Sequence, residues 1–444
     1  MRTNRLSISL LAGLLSVVTV LAGCTNSAAN SNNDDTTTND ASASGVTNIR
    51  IVTHTNWQKP LTQAIQQFEA EHTDIHVIAE FVPYTKLQET NEIKLGAKDS
   101  DIDVVTVDEP LNSNYAVKGY LAPLDPWFDA SAKRQFADSA IAAGTYNGQL
   151  TSLPMNSSGV VLYYNKDLFK TYNVPFLSDS LDDRLTWEEL VPIAQKFHGE
   201  GVYGFSFDQV GRAYQILPLL QSKNAAPLDE SGLRSTGYTN SATSVEALQF
   251  YYDLFHTWNV SPNIKREETQ DYFTSGKIAM FLGNTASLNK IEASGINYGI
   301  APHPYFVGGQ PATPTGSLNL GISAFSEHQE QAARFVKYMT TGDGARVLLE
   351  QGGLLPALKS LQQDLLEDET YSKLPGLALR LAAEDGATSA VARPSTPGYL
   401  EWETNFNKTL EDIKNGTAPQ QALDSAVSEI DRQLQKYKAV SPQS

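Results

Sequence analysis

Residues 49–81 read IRIVTHTNWQKPLTQAIQQFEAEHTDIHVIAEF, and this stretch decides the fold class. Ile49-Arg50-Ile51-Val52-Thr53 predicts a strand. Leu61, Ile65 and Phe68 recur at i, i+4 and i+7, which puts one apolar stripe on a helix. Ile75 to Phe81 then predicts a second strand. Strand, helix and strand make a βαβ unit, and parallel strands joined by helices imply an α/β sheet covered on both faces.

Working outward, Asp101 to Asp108 (DIDVVTVD) predicts a short apolar strand between acidic residues. Asp108 and Glu109 fall at its carboxyl end, where open α/β sheets bind ligands. Thr186-Trp187-Glu188-Glu189 and Ser326-Glu327-His328-Gln329 have capping-box spacing before helical apolar stripes, so both predict helix starts. Tyr298 to Pro302 and Leu318 to Ile322 predict strands around a Gly/Pro loop. Residues 401–438 read as mostly helical. There is no internal repeat at a solenoid period.

Upstream of the folded part, Arg2 and Arg5 precede an uncharged run from Leu6 to Gly23, the order of a secretory signal. The run also reaches the lower length limit for spanning a bilayer. Leu21-Ala22-Gly23-Cys24 favours the signal, because it resembles the bacterial lipobox, in which the cysteine is lipidated and becomes the new N-terminus. Cys24 is the sole cysteine, which excludes a disulfide framework. Residues 25–45 hold no aromatic and no large aliphatic side chain, so they cannot offset their ordering entropy and read as a tether. The sequence-level division is a signal peptide at 1–23, a lipidated tether at 24–45 and a folded part from Val46.

The whole chain of 444 residues carries a net charge of −17 with no local basic cluster. That balance works against nucleic acid and anionic lipid headgroups as partners. A phosphate loop, a nucleophile elbow, an HExxH and a GxGxxG after a strand are all missing from the sequence, so no cofactor or metal is expected. Two carboxylates distant in sequence remain compatible with a glycan-active enzyme.

Six stretches, in order, resemble the extracellular solute-binding proteins of ABC transporters, in the group of maltose and trehalose binders. They are DIDVVTVDEPLNSNYAVKGYLAPLD (101–125), YNGQLTSLPMNSSGVVLYYNKDLF (146–169), Leu185 to Leu190, Ser275 to Met280, Tyr298 to Met339 and Gly416 to Leu423. The resemblance implies a two-lobe periplasmic-binding-protein-like α/β fold with three hinge crossings and a ligand cleft between the lobes. Carried onto this chain, lobe 1 is 46–157 plus 298–340, and lobe 2 is 158–297 plus 341–444. It also implies a receptor on the outer face of the cell membrane, held by Cys24, that captures a sugar or oligosaccharide. Its partners would be permease subunits with a separate ATPase, and it would not be an enzyme. A binding protein of the same fold for a non-sugar solute is the alternative.

Sugar recognition needs aromatic faces for the C–H surface of a pyranose, and carboxylates, amides or guanidinium forks for its hydroxyls. Asp108 matches an acidic ligand-binding position of the family, with Glu109 beside it. Asn156, Ser157 and Ser158 stand at the first crossing. Tyr214 matches a stacking aromatic, near Gln209 and Arg212. Arg393 opens an Arg-Pro-x-Thr-Pro segment, Trp402 lies near another stacking position, and Trp57 follows the first strand. The chain also departs from the family: Asn284 stands where a tryptophan is common, and Gly316-Ser317-Leu318 replaces Gly-Gly-Trp. With two stacking surfaces missing, a long α-glucan fits poorly and a smaller or differently shaped glycan fits better.

Overall fold

The computed structural model describes residues 45–439; the signal, Cys24 and nearly all of the tether lie outside them. Among the described residues, one five-stranded sheet is built from β1 (Thr47–His54), β2 (Ile75–Val82), β3 (Val104–Asp108), β4 (Ser152–Pro154) and a late strand, Leu318–Ile322. A second, four-stranded sheet holds β5 (Val160–Asn165), β6 (Tyr203–Phe207), β7 (Ile278–Asn284) and β8 (Tyr298–Ala301), and the late strand is β9. The first sheet runs β2-β1-β3-β9-β4, with β1 parallel to β2 and β3, and β9 antiparallel to β3 and β4. The second runs β8-β5-β7-β6.

The predicted βαβ unit forms with α1 at Gln58–Glu71, whose Leu61, Ile65 and Phe68 are buried. Its stripe packs in one cluster with Ile49 and Ile51 of the sheet and Phe335, Val336 and Met339 of a later helix. Burial of each large side chain contributes about 1.5–3 kcal/mol, which outweighs the modest propensity of so short a helix. The next helix, α2 (Tyr84–Gly96), follows β2 and begins at the rim of the sheet. In the second lobe α3 (Trp187–Ala194) starts at Thr186 with the predicted capping box. Helix α4 is Ala213–Ser222.

The second predicted capping box does not form. Helix α5 starts at Gln329 after an N-cap, His328, that supplies no side-chain bond. Ser326 Oγ donates instead to Asp103 Oδ1 at 2.5 Å. Asp103 is 2% exposed, and a buried carboxylate needs donors more than a solvated helix end does.

The lobe boundaries also differ from expectation at two places. Strand β8 at 298–301 pairs antiparallel with β5, so it belongs to the second sheet rather than to lobe 1. Helix α6 (Asp343–Gly352) was expected in lobe 2, yet Ala345, Val347 and Leu348 are buried in the same cluster as α1. Both corrections reflect pairing partners far away in sequence, which local patterns do not encode.

Three segments connect the lobes: the passage from β4 to β5, that from β8 to β9, and that after α6. They are bonded to one another. Ser158 Oγ donates to Gly316 O at 2.9 Å, and Ser157 N donates to Leu355 O at 2.7 Å. Helix α7 (Gly376–Ser389) leads into Ala390–Val391, which pairs with Thr313–Pro314 of the second crossing. The chain closes with α8 (Tyr399–Lys414) and α9 (Pro419–Leu434), consistent with the helical reading of 401–438.

Candidate functional site

The carboxyl ends of β1 and β3 face the ends of β6 and β7 across a cavity of about 730 Å³. That size falls within the roughly 300–1,000 Å³ of small-molecule sites. Ten of the twelve residues expected from the sequence line it: Trp57, Asp108, Asn156, Ser157, Ser158, Gln209, Arg212, Tyr214, Asn284 and Arg393. A side chamber of about 280 Å³ continues past Asp108 and Arg212 between α2 and α8.

Asp108 and Arg393 meet as a two-pronged pair, Nη1 to Oδ2 at 3.0 Å and Nη2 to Oδ1 at 2.5 Å. Their side chains are 18% and 6% exposed. The guanidinium lies 5.5 Å from the Tyr214 ring centre and 5.7 Å from that of Tyr399. Arg212 is paired through a single contact, with Nη2 at 3.3 Å from Glu403 Oε1 and its guanidinium 6.0 Å from the Tyr84 ring. Tyr399 OH donates to the same Glu403 oxygen at 3.0 Å. Tyr214 OH accepts from Asn284 Nδ2 at 3.0 Å, and burial pushes its phenol up to about 12, so it stays neutral. Asn284 therefore orients an aromatic from the position where a tryptophan was expected.

Two expected residues stand elsewhere. Trp402 is 0% exposed, stacks on Phe406 at 4.9 Å between ring centres and donates from Nε1 to Thr239 Oγ1 at 3.2 Å. It is core, because α8 turns this residue inward while Glu403 and Asn407 face the chamber. Glu109 points away from the cleft into a separate cavity of about 340 Å³ behind the crossings. Burial there pushes its carboxyl up to about 7.

Sequence reasoning missed other cleft residues, among them Asp208, Tyr84 and His54. Asp208 directly follows β6, lines the cavity, and accepts from Gln270 Nε2 at 3.0 Å and Ser287 Oγ at 3.2 Å. Burial raises its pKa despite these donors. Tyr84 opens α2 and supplies a ring that the missing tryptophans did not. His54 ends β1 and also lines the cavity. The position rule that singled out Asp108, a polar residue at the carboxyl end of a strand, applies equally to His54 and Asp208.

Contacts between the lobes complete the geometry. Besides Asp108 and Arg393, Asn114 Nδ2 donates to Pro397 O at 2.6 Å and Asn289 Nδ2 to Gly352 O at 3.3 Å. Among the described residues no group of acidic, histidine or cysteine side chains could hold a metal ion, and no helix is long and apolar enough to cross a membrane.

Residues 53–346 match the family model of the bacterial extracellular solute-binding proteins. The chain belongs to this family. An sn-glycerol-3-phosphate-binding periplasmic protein of Brucella melitensis is 30% identical over 238 residues, 52% of this chain. The match spans only about half of that relative, 54%. A galactooligosaccharide-binding protein of Bacillus subtilis is 25% identical over 388 residues, 84% of this chain and 86% of the relative. An ABC substrate-binding protein of Listeria monocytogenes, solved in complex with cycloalternan, has the same fold, with a TM-score of 0.77 at 21% identity. The alignment covers 87% of this chain and 98% of that one. This solute-binding protein thus has the expected two-lobe fold, and its family places it outside the cytoplasm.

Proposed function

We propose that this solute-binding protein is the lipid-anchored receptor of an ABC importer, capturing a sugar or oligosaccharide between its lobes and delivering it to a membrane permease served by a separate ATPase. It performs no chemistry on the ligand. One observation carries the carbohydrate reading: both buried guanidinium groups of the cleft are already paired with carboxylates, Arg393 with Asp108 and Arg212 with Glu403. A phosphate would require a buried cation without such a partner. Around these pairs the cleft offers paired forks and carboxylates for hydroxyls, and the rings of Trp57, Tyr84 and Tyr214 for C–H faces, while Lys290, held by Asp271, and the exposed Lys59 also line it. The side chamber adds room for more than one ring.

The galactooligosaccharide-binding relative and the cycloalternan-bound structure support the same ligand chemistry. The Brucella relative favours a second reading, sn-glycerol-3-phosphate, on one half of the chain. Thermal unfolding with a panel of neutral mono- to tetrasaccharides and sn-glycerol-3-phosphate separates the two. A ligand at about 100 times its Kd stabilises by about 2.7 kcal/mol. The expected result is a shift with a neutral saccharide; a shift with glycerol-3-phosphate alone would sink the carbohydrate reading.

The anchor rests on Leu21-Ala22-Gly23-Cys24 and the tether behind it. Several acyl chains give lasting attachment where one does not. Cys24→Ala should move the protein from the membrane pellet to the soluble fraction, and retention in the pellet would refute the anchor. Closure follows if the ligand touches both lobes, because it then binds the closed state better than the open one.

A further inference from the structure

His54 is 3% exposed at the floor of the cleft. Its ring lies 4.4 Å from the Trp57 ring and meets the Tyr84 ring edge-on at 5.4 Å. Neither Nδ1 nor Nε2 has a hydrogen-bond partner among the described residues. Packing gives no reason for an imidazole here, since a phenylalanine would fill the space without burying an unmade donor and acceptor. Buried polar groups left unpaired at a ligand cavity point to bonds that the ligand completes. We propose that His54 is a specificity-determining contact that donates to one hydroxyl group of a neutral ligand and accepts from another, one at each ring nitrogen. This inference rests on the carbohydrate reading and narrows it.

The chemistry follows from protonation. Burial alone lowers the pKa of His54 to about 4, so the ring is neutral at pH 7. A neutral imidazole has one N–H donor and one bare acceptor nitrogen. Two hydroxyls on opposite edges of the ring match it, one accepting and the other donating; because the two nitrogens point apart, these belong to separate positions of the ligand rather than to one vicinal pair. A phosphate or carboxylate offers acceptors only, so the bare nitrogen would have to take up a proton to bind it. An ammonium group offers donors only. Both nitrogens are covered in this structure, and contact requires Trp57 or Tyr84 to shift its ring as the ligand stacks, a side-chain adjustment common on binding.

The test is calorimetric titration of the wild type, His54→Phe and His54→Gln with the same saccharides and sn-glycerol-3-phosphate. It is run at pH 7 in two buffers of different ionisation enthalpy, with histidine ¹⁵N shifts followed in parallel. The expected result is a saccharide that binds with the same enthalpy in both buffers and moves the His54 signals. His54→Phe should weaken it at least tenfold, although the ligand-free variant unfolds no earlier than the wild type. His54→Gln, which keeps a donor and an acceptor, should stay within a few-fold of the wild type. A saccharide that binds His54→Phe as tightly as the wild type overturns this inference and leaves the carbohydrate reading intact. Binding of glycerol-3-phosphate alone, with or without proton uptake, overturns both, and so does binding of none of the panel.

Discussion

Asp108→Ala is expected to reduce saccharide affinity at least about 100-fold and to destabilise the ligand-free protein by about 3 kcal/mol. The position of Asp108 at a strand end suggests only the first effect, a binding residue whose loss leaves the fold intact. Its pairing with Arg393 adds the second. The Arg393 side chain is 6% exposed, and both its Nη groups are committed to Asp108. Removing the carboxylate leaves a buried cation with only the weaker support of Tyr399 and Glu403, and unpairing a buried charge in comparable cases costs about 3–5 kcal/mol. Because the pair bridges β3 and the segment entering α8, its loss also loosens the contact between them. Urea unfolding and calorimetry read the two effects separately. In a double-mutant cycle, Asp108→Ala with Arg393→Ala should regain part of the stability but none of the affinity. An Asp108→Ala protein as stable as the wild type would show that Arg393 finds water or another partner instead.

The second large effect is expected at Asp385→Asn, in the hinge rather than the cleft. Asp385 and Arg184 have side chains 1% and 7% exposed, with Arg184 Nη2 at 2.7 Å from Oδ1 and Nη1 at 3.1 Å from Oδ2. Thr313 Oγ1 donates to the same carboxylate at 2.9 Å, and Ser389 Oγ donates to it as well. Burial opposes ionisation, but the Arg184 donors and charge, aided by Ser389, outweigh it and hold the carboxyl below its usual range. A group with a lowered folded-state pKa stabilises above its unfolded value, and that contribution disappears as pH falls through the folded one. Asp385→Asn removes it at every pH. The expected cost at pH 7 is about 3–5 kcal/mol, with the gap to the wild type shrinking on acidification. Saccharide affinity should change little, since neither residue lines the cleft. A gap that stays constant down to acid pH would contradict the charge-based account.

Much of the site's scaffold was legible in local sequence. The βαβ unit follows from side-chain period, which burial imposes on any helix or strand that packs on one face. Trp187 and Glu189 mark a helix start because the Thr186 capping box satisfies orphan backbone groups within four residues. Ser326 shows the limit of such reasoning, since a buried carboxylate more than 200 positions away competes for the same hydroxyl. Trp402 shows another: helical spacing alone does not say which face of α8 turns to the core.

By itself the sequence determined the α/β class, the family and the strand ends from which a cleft can be built, because these depend on contacts between near neighbours and on ordered motifs. Only the tertiary structure decided that Asp108 is tied to Arg393, 285 residues away, and that Glu109, its neighbour, faces a different cavity. It also decided that α6 packs with α1, and that Tyr84, His54 and Asp208 share one site. The reason is geometric. Side-chain direction at a strand end and pairing between distant segments arise only when the two lobes and their three crossings are assembled, and it is that assembly which turns separate polar residues into a ligand-sized cavity.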